Sequence, residues 1–303
     1  MLFNRSLFEL LIILAVLVTL FILYNSYMKN RISMEGFEQQ DAFILKTEDA
    51  IYDDFYVEVY DELMNSKKRV KEQTELILKT VPIDKESSHL LDIGSGTGQT
   101  VRYLTDLGYR IEGIDKSEEM VKKSINHENG ICIIKHADVI NPMEYDHSIF
   151  THILCSHFTI YEFENKLTLF KNCYFWLKGR GYLIIHLVDR NEFLPILPIE
   201  IGQKELDDKQ ERITKTEIDY DGYTYTSEYD FVEKSTKVCH KENFVDKKTK
   251  HVRQNERTLY MEDHKKILQM AVKAGFVIKE SIDLAKTSVY LKKQWLFILE
   301  RTL

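Results

Sequence analysis

Residues 89–100 read HLLDIGSGTGQT, and this stretch decides the fold. A short run typical of buried strands leads directly into the turn Gly94-x-Gly96-x-Gly98, and a helical pattern follows. Glycine accepts positive φ angles and lets a ligand approach the backbone, while the first turn of a helix presents unpaired N–H groups. The stretch therefore predicts a strand, a ligand-binding turn and a helix, in that order.

Short β-rich runs continue on the C-terminal side of this turn, with helical segments such as 99–107 between most of them. They lie at residues 110–115, 131–138, 150–155 and 181–188. Two helices are predicted between Ala50 and Pro82, and near the end of the chain a helix at 261–275 precedes strands at 276–284 and 295–301. Strand and helix alternating in this way predict an α/β fold with a parallel, doubly wound sheet.

The alternation is interrupted between residues 191 and 258. This segment is polar and contains runs rich in Thr, Tyr, Val and Phe, such as YTYTSEYDFV at 223–232. Such runs are typical of antiparallel strands. We therefore predict an inserted antiparallel β lobe at 191–258, serving as a substrate cap, between core segments 34–190 and 259–303.

The N-terminal segment has a different composition. Residues 10–28 contain no charged side chain, and as a helix this run spans about 28 Å, enough for one bilayer crossing. A cleaved signal peptide is the alternative, but no small-x-small cleavage site follows. Lys29 and Arg31 outweigh Arg5, which places the C-terminal side in the cytosol. We predict a single-pass membrane anchor and linker at residues 1–33.

Composition excludes several other classes of protein. The chain has 303 residues and a formal net charge of −7, which does not favour nucleic-acid binding. Its four cysteines are far apart with no C-x-x-C, so no metal site or disulfide framework is indicated.

Acidic residues end three of the predicted strands at one edge of the sheet. Asp115 comes 17 residues after Gly98 and can accept both hydroxyls of a ribose, and Asp138 can accept the amino group of an adenine. Asp92 suits an ammonium group rather than a phosphate, and the G-x-G-x-G spacing differs from the dinucleotide G-x-G-x-x-G. The pattern therefore favours an adenosine ligand over a nicotinamide dinucleotide.

The segments DIGSGTG, GIDKSEEM, HAD and CSHFTIYEF together resemble class I S-adenosylmethionine-dependent methyltransferases of the small-molecule type, over about residues 52–303. The resemblance implies a seven-stranded Rossmann-like sheet whose last two strands form an antiparallel edge. It implies S-adenosylmethionine as the cofactor. The residues that it places around the cofactor are Asp92, Gly94, Gly96, Gly98, Asp115, Asp138, Val139, Cys155 and, from an N-terminal cap, Tyr56 or Tyr52.

The reaction itself is less constrained by the sequence. His157 and Tyr161 are candidates by residue type for the base that deprotonates an acceptor. A small amine, a lipid headgroup and a protein side chain all remain possible acceptors, and the oligomeric state stays open. Base methylation of DNA is disfavoured, because no N-P-P-Y or Pro-Cys motif is present at the required place. A catalytically silent, membrane-tethered scaffold that binds S-adenosylmethionine is the alternative.

Overall fold

Two β-sheets with flanking helices make up the structure, a computed structural model that describes residues 12–24, 41–125, 133–195, 214–232, 234–288 and 291–303. The strands in these residues are β1 (Phe43–Thr47), β2 (His89–Ile93), β3 (Arg110–Asp115), β4 (Ile134–His136), β5 (Phe150–Cys155), β6 (Leu177–Val188), β7 (Lys215–Asp219), β8 (Tyr223–Phe231), β9 (Lys237–Asp246), β10 (Val252–Tyr260), β11 (Phe276–Asp283) and β12 (Gln294–Arg301). The helices are α1 (residues 12–24), α2 (Asp54–Leu63), α3 (Ser66–Thr80), α4 (Gln99–Asp106), α5 (Glu118–Ile125), α6 (Lys166–Trp176) and α7 (His264–Lys273).

The larger sheet, here the core sheet, has seven strands in the order β11-β12-β6-β5-β2-β3-β4. Strands β2 to β6 run parallel, whereas β12 is antiparallel to both β6 and β11. This arrangement confirms the predicted doubly wound sheet with its antiparallel edge. Strands β2, β3 and β5 have the predicted bounds, β4 is shorter than predicted, and β6 begins earlier, at Leu177.

Both faces of the core sheet are covered, which explains why its central strands carry buried apolar residues on both faces. On β2, Leu91 belongs to one hydrophobic cluster with Trp176 of α6, and Leu90 belongs to a second cluster with Val101 and Leu104 of α4. Adjacent residues of a strand point to opposite faces, so a strand that is covered on both sides packs against both layers of helices.

The smaller sheet, here the lobe sheet, has five strands in the order β1-β10-β9-β8-β7. Strands β7 to β10 are antiparallel, as predicted for the inserted segment. Strand β1 was not predicted; it comes from residues that the sequence assigned to the core, and it pairs in parallel with β10. Residues 196–213 of the predicted lobe lie outside the described residues, and the domain division itself stays a prediction.

The lobe sheet packs against the cap formed by residues 48–63, which include α2. Phe55 and Tyr56 of the cap share a hydrophobic cluster with Tyr225 and Phe244 of the lobe. Arg253, which is only 2% exposed, forms an ion pair with Asp53 at 2.8 Å and donates a hydrogen bond to Ile51 O. The cap is therefore fixed between the lobe and the core sheet.

The described part of the predicted membrane segment forms α1, whose apolar side chains are exposed; Phe21, for example, is 65% exposed. Within the described ranges, no helix has both the length and the apolar character needed to cross a bilayer. Residues 10–11 and 25–28 of the predicted span lie outside the described residues, so the span from 10 to 28 stays a prediction.

Candidate functional site

The glycine turn connects β2 to α4 at the carboxyl edge of the core sheet. Gly94, Gly96 and Gly98 all have positive φ angles, of 63°, 53° and 79°. A Cβ on Gly94 would lie 2.5 Å from Cγ2 of Thr159, which is closer than atoms can approach. The turn therefore needs glycine both for its backbone conformation and for the close approach of the loop after β5.

Asp115 closes this turn from the end of the neighbouring strand β3. One carboxylate oxygen accepts a hydrogen bond from Gly96 N at 2.8 Å, and the other accepts one from Ser117 N at 2.8 Å. Burial raises the pKa of the Asp115 carboxyl. The carboxylate is thus held rigidly beside the backbone of the turn, where a ribose diol can reach it.

A cleft with about 630 Å³ of empty space opens at this edge and collects most of the predicted cofactor residues. It is lined by Tyr52, Tyr60, Gly94, Gly96, Ile114, Asp115, Lys116, Met120, Ala137, Asp138, Val139, Thr159, Glu162 and Phe163. Asp138 lines the cleft at the end of β4, and its Oδ1 also accepts a hydrogen bond from Ile140 N at 2.9 Å. Val139 is buried beside it.

A second pocket, of about 400 Å³, shares Gly94, Gly96, Tyr60 and Thr159 with the cleft and extends beneath the glycine turn. The two therefore form one continuous groove around the turn.

Asp92 and Arg69 lie in this second pocket. Asp92 is 3% exposed, and burial raises the pKa of its carboxyl to about 7. Burial lowers the pKa of Arg69, which forms no ion pair within the described part of the chain. A carboxylate and a guanidinium together suit the ammonium and carboxylate groups of an amino acid. The sequence indicated Asp92 but missed Arg69, which lies on α3 far from the motifs.

The resemblance placed Tyr56 at the cofactor, but in the structure Tyr56 does not reach the cleft. Its ring is buried, and its hydroxyl donates a hydrogen bond to Glu242 Oε1 in the lobe at 2.9 Å. Tyr52 and Tyr60 line the cleft instead. Of the two tyrosines that the resemblance offered for this role, the geometry therefore favours Tyr52.

Three other predicted residues also lie away from both pockets. Tyr161 is buried in the core, where its hydroxyl accepts a hydrogen bond from Val188 N at 2.8 Å. Cys155 is fully buried, and burial raises the pKa of its thiol well above the usual value. Gly98 is the N-cap of α4. The geometry gives these residues structural roles and argues against Tyr161 as a catalytic base.

His157 does line the second pocket, and its backbone is held in the left-handed region with φ 53°. Its carbonyl oxygen accepts a hydrogen bond from Nδ1 of His186 on β6. Burial, together with the positive charge of Arg69, lowers the pKa of the His157 imidazole well below its usual value. The imidazole is therefore neutral at pH 7 and able to accept a proton only weakly.

Glu162 is a lining residue that the sequence did not single out, because it lies within the aromatic loop FTIYEF. Its Oε1 accepts a hydrogen bond from the Tyr52 hydroxyl at 2.7 Å and lies 3.3 Å from Nη1 of Arg257. The contact therefore joins the core loop, the cap and the lobe at the mouth of the cleft.

No cluster of possible metal ligands is found among the described residues.

Comparisons with known proteins agree with this geometry. Residues 91–185 match the family described as "Methyltransferase domain". A segment of 117 residues is 34% identical to the phosphoethanolamine N-methyltransferase of Plasmodium falciparum (isolate 3D7), covering 38% of this chain and 44% of that protein. The chain thus spans less than half the length of this curated relative.

The fold is shared with solved methyltransferase structures. The CcbJ methyltransferase of Streptomyces caelestis superimposes with a TM-score of 0.63 at 14% identity, covering 84% of this chain and 100% of that one. CalS10, an amino pentose methyltransferase of Micromonospora echinaspora solved with S-adenosylmethionine, gives a TM-score of 0.55 at 15% identity, covering 80% and 97%.

The fold and the site define residues 91–185 as a class I methyltransferase domain. The glycine groove, with acids at its ribose and amino acid ends, fits S-adenosylmethionine as the cofactor. Residues 91–185 are thus similar to a methyltransferase domain, and the whole fold is shared with solved methyltransferases.

The ribose assignment predicts the effect of Asp115→Asn. The variant keeps the shape of the side chain but removes its charge, and a hydrogen bond to a charged group contributes about 1.5–3 kcal/mol. S-adenosylmethionine should therefore bind about 10- to 100-fold more weakly. Titration calorimetry with S-adenosylmethionine, S-adenosylhomocysteine and NAD measures this; unchanged affinity in the folded variant, or tight NAD binding, would contradict the assignment.

The raised pKa of Asp92 predicts a pH dependence of cofactor binding. The ammonium of the ligand favours the ionised carboxylate, so below pH 7 binding must first displace a proton. The affinity for S-adenosylhomocysteine should therefore fall by about tenfold between pH 8 and pH 6. Asp92→Asn should bind weakly at every pH, whereas the exposed control Asp106→Asn should keep the wild-type profile. A flat profile in the wild type would disprove the role of Asp92.

Proposed function

We propose that the protein transfers a methyl group from S-adenosylmethionine to an amine nitrogen of a small molecule. The observation that carries this proposal is the charge of the cleft, whose lining includes three acids, Asp115, Asp138 and Glu162, and one lysine, Lys116. An acidic cleft attracts a cationic acceptor. The similarity to a phosphoethanolamine N-methyltransferase supports nitrogen as the acceptor atom.

Each end of the groove has residues for one part of the cofactor. Asp115 binds the ribose hydroxyls, Asp138 and Val139 face the adenine, and Asp92 with Arg69 binds the amino acid end. The cofactor supplies an activated methyl group on a sulfonium. The main task of the protein is then to hold the acceptor nitrogen in line with that group.

The cap and the lobe would enclose the acceptor. Tyr52 and Tyr60 cover the cleft, and Arg257 of the lobe contacts Tyr52 at 2.8 Å. We therefore propose that the lobe selects the acceptor through Arg257. Arg253, which is buried against Asp53, fixes the lobe to the cap instead.

Transfer of a labelled methyl group tests the proposal. The purified protein is incubated with methyl-labelled S-adenosylmethionine and, separately, phosphoethanolamine, ethanolamine, glycine, an amino sugar and vesicles containing phosphatidylethanolamine. We expect label in at least one amine, on nitrogen, and a loss of at least tenfold in Asp115→Asn. Label only in hydroxyl analogues of these compounds would contradict an amine acceptor.

We also propose that residues 10–28 attach the protein to a membrane, with the methyltransferase domain in the cytosol. The support is the uncharged run in the sequence and the exposed apolar side chains of α1. The full chain should resist extraction from membranes by alkaline carbonate, and a variant that lacks residues 1–31 should be released while still binding S-adenosylhomocysteine. A full chain that carbonate extracts, or a truncated chain that stays bound, would refute the anchor.

A further inference from the structure

Glu162 is the carboxylate of the cleft that is held from all three parts of the structure. Tyr52 of the cap donates a hydrogen bond to it, Arg257 of the lobe forms an ion pair with it at 3.3 Å, and the loop after β5 carries it. Its side chain is 28% exposed. It is therefore both fixed in position and open to a ligand.

A second acid, Glu242, is fully buried in the lobe. Glu242 accepts hydrogen bonds on Oε1 from both Tyr56 and Tyr225, at 2.9 and 2.5 Å. Its other oxygen, Oε2, is buried without a partner. Glu242 thus adds negative charge behind the cleft but is closed to a ligand.

Among the residues that the structure describes, the titratable groups besides Glu162 that contact Arg257 are Tyr52, at 2.8 Å, and His240. Nδ1 of His240 accepts a hydrogen bond from Nε of Arg257 at 3.0 Å, so its proton lies on Nε2, which contacts Ser227 Oγ at 2.8 Å. Among the described residues, Glu162 is therefore the acid in ion-pair contact with Arg257, and its side chain stays partly exposed to the cleft.

The partly exposed carboxylate of Glu162 offers a binding place for an ammonium ion in the cleft. Tyr52 and Tyr60 line the same cleft, and the face of an aromatic ring attracts a cation. An acid beside aromatic rings is a suitable site for a protonated amine, and more suitable than the pocket of His157. There, the guanidinium of Arg69 lines the pocket and opposes the approach of a second positive charge.

We infer that Glu162 binds the amine of the methyl acceptor and accepts its proton, while Tyr52 and Arg257 position the carboxylate. The inference rests on the proposed amine methylation and names the acceptor class as small, cationic amines.

The charges balance in the resulting step. The bound ammonium loses a proton to Glu162, and the nitrogen lone pair then forms a bond to the methyl carbon as the carbon–sulfur bond breaks. The sulfur keeps that electron pair and becomes neutral, and the methylated nitrogen carries the positive charge. Glu162 returns its proton to solvent when the product leaves.

Binding of tetramethylammonium tests the site without requiring turnover. Saturation-transfer NMR measures its affinity for the full chain loaded with S-adenosylhomocysteine, which lacks the methyl group and so leaves space beside the sulfur. Glu162→Gln keeps the hydrogen-bonding shape and removes the charge. We expect it to weaken cation binding at least tenfold and to change the affinity for S-adenosylhomocysteine less than threefold.

Glu164→Gln is the matched control, because Glu164 is a neighbouring acid that is 70% exposed and forms an ion pair with Lys237 at 3.7 Å. It should bind the cation within twofold of the wild type. Glu162→Asp, which keeps the charge, should recover part of the affinity; circular dichroism checks that each variant is folded. In the transfer assay, Glu162→Gln should lower kcat/KM for the accepted amine about 10- to 100-fold.

The outcomes distinguish a failure of the proposed cation site at Glu162 from a failure of the proposed amine methylation. Cation binding that depends on Glu162, in a protein that methylates no amine, would support the site and contradict the proposed function. Amine methylation that Glu162→Gln leaves unchanged would overturn the site and leave the function standing. A wild-type protein that does not bind tetramethylammonium would also overturn the site.

Discussion

The hydrogen bond from Gly96 N to Asp115 is the interaction on which the rest of the site depends. It joins the turn after β2 to the end of β3, two positions that meet only because the strands are parallel neighbours. The bond holds the turn, with its glycines at positive φ angles, in place and fixes a carboxylate beside it. The core sheet thus builds the adenosine end of the groove without help from other parts of the chain, as the rule for carboxyl ends of parallel strands expects.

The proposed acceptor site is different, because three segments of the chain would build it together. The core supplies Glu162, the cap supplies Tyr52, and the lobe supplies Arg257. Their mutual contacts are polar and partly buried, so each group depends on its partners to offset the cost of leaving water. Arg253 and Asp53 fix the lobe to the cap a short distance away. Cofactor binding therefore rests on a local motif, whereas acceptor binding rests on how well the cap and the lobe are assembled.

The contrast between a local cofactor motif and an acceptor site built from three segments explains which features the sequence could predict. The C-terminal bounds of β2 and β3 could be predicted because β2 leads into the glycine turn and β3 ends at Asp115. Asp92, Asp115 and Asp138 could be predicted as site residues because each lies near the carboxyl end of a strand. Tyr56 and Tyr60 are one helical turn apart, and only the position of the lobe decides which of them is covered. Arg257 and Glu162 are 95 residues apart in the chain, and no local pattern joins them. Strand β1 was missed because its partner, β10, is distant in sequence and tertiary pairing overrides weak local preference.

Strand β1 also limits the order in which the protein can fold. Phe43 pairs with Val252, so β1 cannot find its partner until the chain has been synthesised past Val252. Most strands of the core sheet pair with strands that are close in sequence, so the core sheet can form earlier, although β12 must still pair with β6. Closing so long a loop is slow compared with local pairing. During synthesis, the chain must therefore keep an unpaired edge strand from aggregating, which makes assembly of the lobe the step most sensitive to chaperones and temperature.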